Sequence, residues 1–315
     1  MITEKENAMR VLSHEGSAWL PCMSDCLQIV PVSCAPDNFV DGRDWFGVMW
    51  RDGVPDPGEL IMDGFEGWQD KVVFPDLDAI DWQGSASADC ANIDRENKII
   101  ATIQNITLIE RVNSFAGITE TMLAFYQEPD ELKSLLYAIT EFRLKHIDKV
   151  VKHYDPDLMF FFDDYGSQKS LFMSPGTWRE FFKDPLKKLV DRVHEHGKYF
   201  CMHSCGKIDD IIGDFVEIGI DMWDSVQSCC DYQSIFEKHG EKMAFMPMFD
   251  LQRFNTPDPG GVQEELHYII DVLGGNGLLF PRDNASLLHP DNKEAVIAEI
   301  RKLGRGSYLA TKGFL

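Results

Sequence analysis

The sequence is poor in long apolar runs: stretches such as Leu158–Phe162 fall far short of the roughly 20 residues that span a bilayer. The N-terminus, MITEKENAMRVLSHEG, lacks the apolar core of a signal peptide, so the reading is no membrane and a cytoplasmic location. Positive charge is scarce too. Lys plus Arg number 30 against 52 Asp plus Glu, for a net charge of −22 and a pI near 4.7. Phosphate backbones and anionic lipid surfaces would be repelled by most of such a surface, which argues for no nucleic acid among the partners. No GxGxxG or GxxxxGK[ST] loop follows an apolar run, which counts against a dinucleotide or nucleoside triphosphate site. No Ser/Gly linker, low-complexity stretch or short-period repeat divides the chain, so residues 1–315 read as a single domain.

What is present is an ordinary globular composition, 44% hydrophobic and 26% charged, enough for a sizeable core. The 8 cysteines have no export signal to go with them, and a chain of this size needs no covalent staples; they read as free thiols or metal ligands. From about residue 100 onward, short β-rich runs alternate with amphipathic helical patterns, the signature of parallel strands joined by crossover helices. The strand candidates are Ile99–Ile106, Leu158–Phe162, Tyr199–Met202, Met222–Val226, Lys242–Met248 and Gly277–Phe280, with an earlier one at Trp19–Met23 and a further one expected near Ser114–Leu123. The clearest helix is Pro129–Tyr154, where Leu132, Leu135, Ile139, Phe142, Ile147 and Val150 recur at helical spacing behind a proline. Other helices are expected to begin near Pro175, Lys207, Val262 and Pro290. The predicted fold is a (β/α)8 TIM barrel with an irregular N-terminal extension over the first hundred residues.

In such a barrel the active site lies where the strands end, so the first polar residues after each apolar run matter most. They are Asp25 and Cys26, Gln104 and Asn105, Asp163 and Asp164, His203 and Cys205, Asp224 and Gln227, Asp250, and Arg282 with Asp283. Polar junctions also arise simply to satisfy turn backbone. In YFCMHSCGK, His203 and Cys205 are two residues apart, a spacing that turns an imidazole and a thiolate to one face of an extended chain. Zinc takes such nitrogen and sulfur ligands; a buried cysteine beside a hydrogen-bonded histidine is the alternative. Cys229 and Cys230 are the nearest further thiols, and Asp163, Asp224 and Asp283 are possible oxygen ligands. Asp163 and Asp164 follow an aromatic run directly; in a hydrophobic cup one of them can act as general acid or base, and equally one can cap a helix. Met248 sits close to a strand end, where it either lines an apolar pocket or packs in the core.

The stretches DDYGSQKSLFMSPGTWREFF (Asp163–Phe182), HSCGKIDDIIGDFVEIGIDMWDSVQ (His203–Gln227) and KHGEKMAFMPMFDLQ (Lys238–Gln252) resemble the uroporphyrinogen decarboxylase superfamily, and within it the corrinoid-dependent methyltransferases. The likeness extends from about Asp44 to Ala298, with weaker echoes in DWFGVMW and GWQDKVVFPDLDAIDW. It implies a TIM barrel and two possible chemistries. Decarboxylases of this family carry an arginine- and glycine-containing segment that grips substrate carboxylates; here LPCMSDCLQIVPV stands in that region, with no arginine between Arg10 and Arg43. The methyltransferase branch holds zinc on a His-x-Cys pair, matched by His203 and Cys205. Its thiol-specific members add a cysteine after the last strand, where this chain has GLLFPRDNASLLHP with Asp283, and some place a carboxylate where this chain has Gln227. The resemblance therefore implies an O-demethylase type of methyltransferase. It would move a methyl group from a small methoxylated, aromatic substrate to the cob(I)alamin of a separate corrinoid-binding protein. Asp163 and Asp164 would be catalytic, with His203, Cys205, Cys229 and Cys230 as metal ligands and Gln227, Asp250, Asp283 and Met248 against the substrate. The alternative is a uroporphyrinogen-decarboxylase-like enzyme acting on a carboxylated substrate without metal.

Overall fold

The computed structural model describes residues 2–36, 42–283 and 288–303. A curled six-stranded parallel sheet runs in the order β1 (Leu27–Ile29), β2 (Ile99–Gln104), β3 (Leu158–Phe162), β4 (Tyr199–His203), β5 (Met222–Val226) and β6 (Ala244–Pro247). Beside β6, Leu279 forms one further parallel bridge with Phe245, and Ser17 N–H donates to the Gly277 carbonyl at 3.0 Å. The long helices that follow the strands are α1 (Ile109–Ala116), α2 (Ile118–Gln127), α3 (Pro129–Tyr154), α4 (Asp184–Glu195), α5 (Ile212–Ile218), α6 (Tyr232–His239), α7 (Pro259–Leu273) and α8 (Pro290–Leu303). Prolines open α3, α7 and α8, positions where a missing N–H costs nothing. The result is an α/β fold of TIM-barrel-like form, with six strands in the parallel ladder rather than eight.

Three expected strands do not form: Gly277–Phe280 keeps only the single Leu279 bridge, and the other two fold into helices. Around Ser114–Leu123 the chain forms α1 and α2, broken at Gly117 (φ 82°). Ile109, Val112, Phe115 and Ala116 are all buried, which is the spacing of a helix face and not the alternation of a strand. At Trp19–Met23 the chain instead winds into the short helix Met23–Cys26, where the Cys22 carbonyl accepts the Asp25 and Cys26 N–H groups at 2.9 and 3.1 Å. The first ladder strand is therefore displaced to Leu27–Ile29. The N-terminal region holds a small antiparallel sheet of Gly42–Arg43, Met49–Arg51 and Val54–Pro55, and the helix Trp82–Asp89. It is tied to α1 by a fully buried ion pair, Arg111 to Asp44.

Side chains alternate along each strand between two buried clusters. Ile99, Ala101, Leu158, Phe160, Cys201, Met222, Ala244, Met246, Leu278 and Phe280 fill the concave interior. Ile100, Met159, Phe161, Met202, Trp223, Phe245 and Leu279 pack outward against the helices. Burial on both faces explains why these strands read as continuous apolar runs, and each large side chain so buried stabilises the fold by roughly 1.5–3 kcal/mol. Helix Glu4–Leu12 contributes Ala8, Val11 and Leu12 to the interior, beside residues that begin their strands, and so covers the N-terminal end. The C-terminal end is left for polar groups. Register sets Phe162 beside His203, His203 beside Asp224, and Asp224 beside Met246.

The loops after β3 and β4 touch backbone to backbone. Lys207 N–H donates to the Ser167 carbonyl at 2.8 Å. Gly206 has φ +86°, and a Cβ there would stand 2.5 Å from the carbonyl carbon and oxygen of Gly166. Only glycine fits. Gly206→Ala is expected to destabilise the protein by about 2–4 kcal/mol, read from the urea unfolding midpoint; an unchanged midpoint would contradict this close approach.

Candidate metal centre at the C-terminal rim

Asp164, His203 and Cys205 bring one carboxylate oxygen, one ring nitrogen and one sulfur to within 4.8 Å of one another. The Cys205 sulfur lies 3.4 Å from His203 Nε2, and Nε2 lies 3.8 Å from Asp164 Oδ1. With metal–nitrogen near 2.0 Å and metal–sulfur near 2.3 Å, ligands at tetrahedral corners stand about 3.5 Å apart, close to the 3.4 and 3.8 Å found around Nε2, so the three residues form a candidate metal site. Local structure holds each of them. His203 ends β4 and its ring stacks on Phe162 at 4.0 Å with 12° between planes. The Cys205 N–H donates to Asp164 Oδ1 at 2.7 Å, joining the two loops that Gly166 and Gly206 press together.

Behind the cluster, His203 Nδ1–H donates to the buried Asp224 at 2.6 Å, and Arg282 donates to the same oxygen at 2.7 Å. This bond leaves Nε2 facing Asp164 and Cys205, which is how ligating histidines are commonly oriented. Burial alone would push the imidazole down, but the charge and hydrogen bond of Asp224 outweigh it and raise His203 to about 10. Asp224 is held below the ordinary carboxylate range although burial opposes this, because His203 and Arg282 both favour its charged form. A metal at Nε2 must therefore displace a tightly held proton. Next to Asp224, the ladder slips at a bulge where the buried Ser225 takes φ 82°. The bulge brings Ser225 Oγ to 3.6 Å from the Cys205 sulfur, an example of a bulge re-aiming a side chain beside a site.

The two adjacent acids have different surroundings. Asp163 is fully buried and accepts the N–H groups of Leu108, Ile109 and Glu110 at 3.2, 3.2 and 3.0 Å, and the Tyr165 hydroxyl at 2.6 Å. It caps α1, whose own N-cap residue Leu108 has no capping side chain. Asp164 is half-buried and belongs to the cluster. A third carboxyl, Glu110, was absent from the sequence expectations. It sits in the first turn of α1, and its Oε1 accepts the Asp164 N–H at 3.4 Å. Burial, then repulsion from Asp163 and Asp164, raises Glu110 to about 8, so a protonated carboxyl stands at the site near neutral pH. Nothing in the residue string marks it, since a glutamate in a first turn is common on dipole grounds alone.

The remaining expected residues divide. Gln227, Met248 and Asp250 line one cleft of about 210 Å³ together with Gln168 and Ser228. Gln227 also accepts the Gly206 N–H at 3.1 Å and so reaches the Cys205 loop. Asp250 Oδ1 is occupied by the N–H groups of Gln252 and Arg253. Cys229 and Cys230 lie outside the three-residue cluster. Cys230 donates to the Gly206 carbonyl at 3.4 Å, and burial raises its thiol well above the ordinary range. The Cys229 sulfur is 4.0 Å from Gln227, and burial raises that thiol too. In the turn at residues 228–230 the two sulfurs are directed to Gln227 and to the Gly206 carbonyl. Asp283 is also elsewhere: it accepts Ser24 N–H and hydroxyl at 3.1 and 2.8 Å and the Cys22 thiol at 3.1 Å, fastening the segment after Phe280 to the short helix Met23–Cys26. All 8 cysteines are free.

The raised Glu110 carboxyl has a measurable consequence. In the unfolded chain it releases its proton near 4.5, and in the fold near 8. Its contribution to stability is complete below 4.5, declines as the unfolded state ionises first, and is lost as pH rises through about 8. Relative to Glu110→Gln, the wild type is expected to lose on the order of a few kcal/mol between pH 5 and pH 8. Urea midpoints of both proteins at the two pH values check this, and parallel pH dependences would refute it.

No helix among the described residues is long and apolar enough to cross a membrane. No curated protein matches the chain. A solved structure, a methyltransferase from Methanosarcina mazei, is similar over 95% of this chain and 85% of its own, with a TM-score of 0.59 at 16% identity, which shows a shared fold. The family profile for uroporphyrinogen decarboxylase (URO-D) matches residues 106–277, more than half of the chain, and covers β3 to β6 with their loops. The chain belongs to the uroporphyrinogen decarboxylase family.

Proposed function

We propose that this chain is an O-demethylase-type methyltransferase that moves a methyl group from a small methoxylated, aromatic substrate to the cob(I)alamin of a separate corrinoid-binding protein in the cytoplasm. The observation that carries this reading is the Asp164, His203 and Cys205 cluster on the rim of a TIM-barrel-like sheet. The similarity in fold to a methyltransferase is consistent with it. We further infer that the sheet closes into a single barrel domain, since Leu278 and Phe280 share the interior cluster with Leu27 and Ile99 from the other edge.

An alkoxide or phenolate leaves slowly unless its oxygen is protonated or coordinated as the C–O bond breaks. Zinc bound at the cluster would act as the Lewis acid on that oxygen. Asp224 and Arg282 orient the imidazole of His203 and keep it from turning. Glu110 holds a proton beside Asp164 and is the acid placed to deliver it to the departing oxygen. Asp163 is a positioning residue: it acts by capping the helix that carries Glu110. Met248 and Gln227 line the cleft in which the substrate would stand, with Met248 offering an apolar contact to a ring.

The decarboxylase-like alternative needs a cation free to grip carboxylates. Arg282, a cation beside the cluster, is paired through Nη1 with the buried Asp224. The test is elemental analysis together with spectrophotometric methyl transfer to cob(I)alamin. Wild type is expected to hold about one zinc per chain. His203→Ala should lose both zinc and transfer, and Asp224→Asn should weaken zinc binding by about 10–100-fold. Asp164→Asn should slow transfer, whereas Asp163→Asn should lower stability first. A metal-free wild type whose transfer rate survives His203→Ala would overturn the proposal.

A further inference from the structure

Residues that follow β4 and end β5 form a closed chain of contacts around the Cys205 sulfur. The Gly206 N–H donates to Gln227 Oε1 at 3.1 Å, and Gln168 Nε2 donates to the same oxygen at 3.1 Å. A backbone N–H only donates, so the Gln227 amide is fixed with its oxygen toward the loop after β4 and its nitrogen turned away. That nitrogen donates to Ser225 Oγ at 3.4 Å. Ser225 Oγ in turn stands 3.6 Å from the Cys205 sulfur, a hydrogen-bonding distance for an atom as large as sulfur. With Oγ accepting from Gln227, the hydroxyl proton has two sulfurs within reach, that of Cys205 and, at 3.8 Å, the thioether of Met248. A cysteine sulfur that ligates a metal is negatively charged and carries no proton, so it is the stronger acceptor of the two.

Ser225 reaches this position only through a strained backbone. Met222 faces the interior and Trp223 packs outward, so plain alternation would bring Asp224 inward and turn Ser225 out toward the helices. The bulge prevents this: Asp224 pairs with Met246 and Val226 with Pro247, which leaves Ser225 between them without a register partner. Its φ of 82° is one that glycine adopts freely and a residue with a Cβ adopts under strain. A strand that needed the bulge alone would be served best by glycine. Serine adds one hydroxyl, fully buried, and that hydroxyl is the group within reach of Cys205.

We propose that Ser225 is a positioning residue for the metal centre, a role that rests on the function proposed above: its hydroxyl, oriented by Gln227, donates to the Cys205 sulfur and holds that sulfur as a ligand. Asp224 orients His203 from behind, and the next residue of the same strand does the corresponding work for Cys205. Consecutive residues of β5 thus each support one ligand, as outer hydrogen-bond partners of metal sites commonly do. Because the relay begins at Gly206, next in the chain to Cys205, the loop after β4 is fastened to β5 through its backbone as well as through the sulfur.

The experiment uses the full chain with zinc and with cobalt(II), whose bond to sulfur gives a charge-transfer absorption band. Ser225→Gly frees the backbone and removes the hydroxyl. It is expected to keep the urea midpoint of the metal-free protein at or above wild type, while weakening zinc about 10–100-fold in competition with a chelator. The cobalt band should move to longer wavelength, because the sulfur electrons lose a stabilising donor. Ser225→Ala keeps the strain and should show the same loss of zinc affinity and the same band shift. Gln227→Leu leaves the hydroxyl in place without its orienting donor and should move the band in the same direction by less. Wild-type zinc affinity with an unmoved cobalt band in Ser225→Gly would overturn the proposal, and so would a urea midpoint below wild type, which would assign the hydroxyl to the fold. Those outcomes leave the methyl-transfer reading standing; that reading falls alone if metal-loaded wild type transfers no methyl group, and a wild type that takes up neither ion overturns both.

Discussion

The Asp224 carboxylate is the constraint on which the rim depends. It is buried in β5, one step across the register from His203, and it binds His203 Nδ1–H and Arg282 at once. Removing it would leave an imidazolium and a guanidinium side by side in a site with little water, where an unpaired buried charge costs several kcal/mol. Its presence turns the imidazole so that the second nitrogen faces the loops after β3 and β4. Arg282 arrives from the far end of the chain, so the site is also a point at which the last segment of the fold is held to its middle.

Around this pair the polar groups are arranged in layers set by burial. Asp163 is spent on the backbone of α1 and Tyr165, Asp164 is left half-buried at the cluster, and Glu110 is brought beside Asp164 by the helix that Asp163 caps. Three carboxyls so close cannot all carry charge in a poorly hydrated site, which is why burial and mutual repulsion raise Glu110 and burial raises Asp163. The buried Arg111 to Asp44 pair fixes the same helix to the N-terminal region. Segments that look irregular in sequence thus help set the height of Glu110 above the sheet.

Much of the fold was legible because strands buried on both faces leave a plain mark. LMFFF, YFCM and MWDSV read as strands and are strands, the second running one residue further to His203, and the proline before DELKSLLYAI marks the start of the longest helix. The failures have a physical reason as well. Trp19–Met23 is apolar enough for a strand, yet the Cys22 carbonyl wins the following N–H groups and winds the chain. The third strand, expected near Ser114–Leu123, is two helices because the apolar residues there recur at helical spacing once Ile109 and Val112 are included. At the site, His203 and Cys205 were legible from a two-residue spacing. Their third companion was not, because nothing in DDYG distinguishes a carboxylate that caps a helix from one that faces a cavity.

Sequence by itself determined which elements form and which ends of them are polar, since alternation, proline placement and apolar runs act over neighbouring residues. Tertiary structure alone decided that Asp164 and not Cys229 or Cys230 joins His203 and Cys205, that Asp283 fastens Ser24, and that Glu110 keeps its proton. Those outcomes depend on the contact between Gly166 and Gly206 and on strand register, which set distances of a few ångströms between residues far apart in the chain.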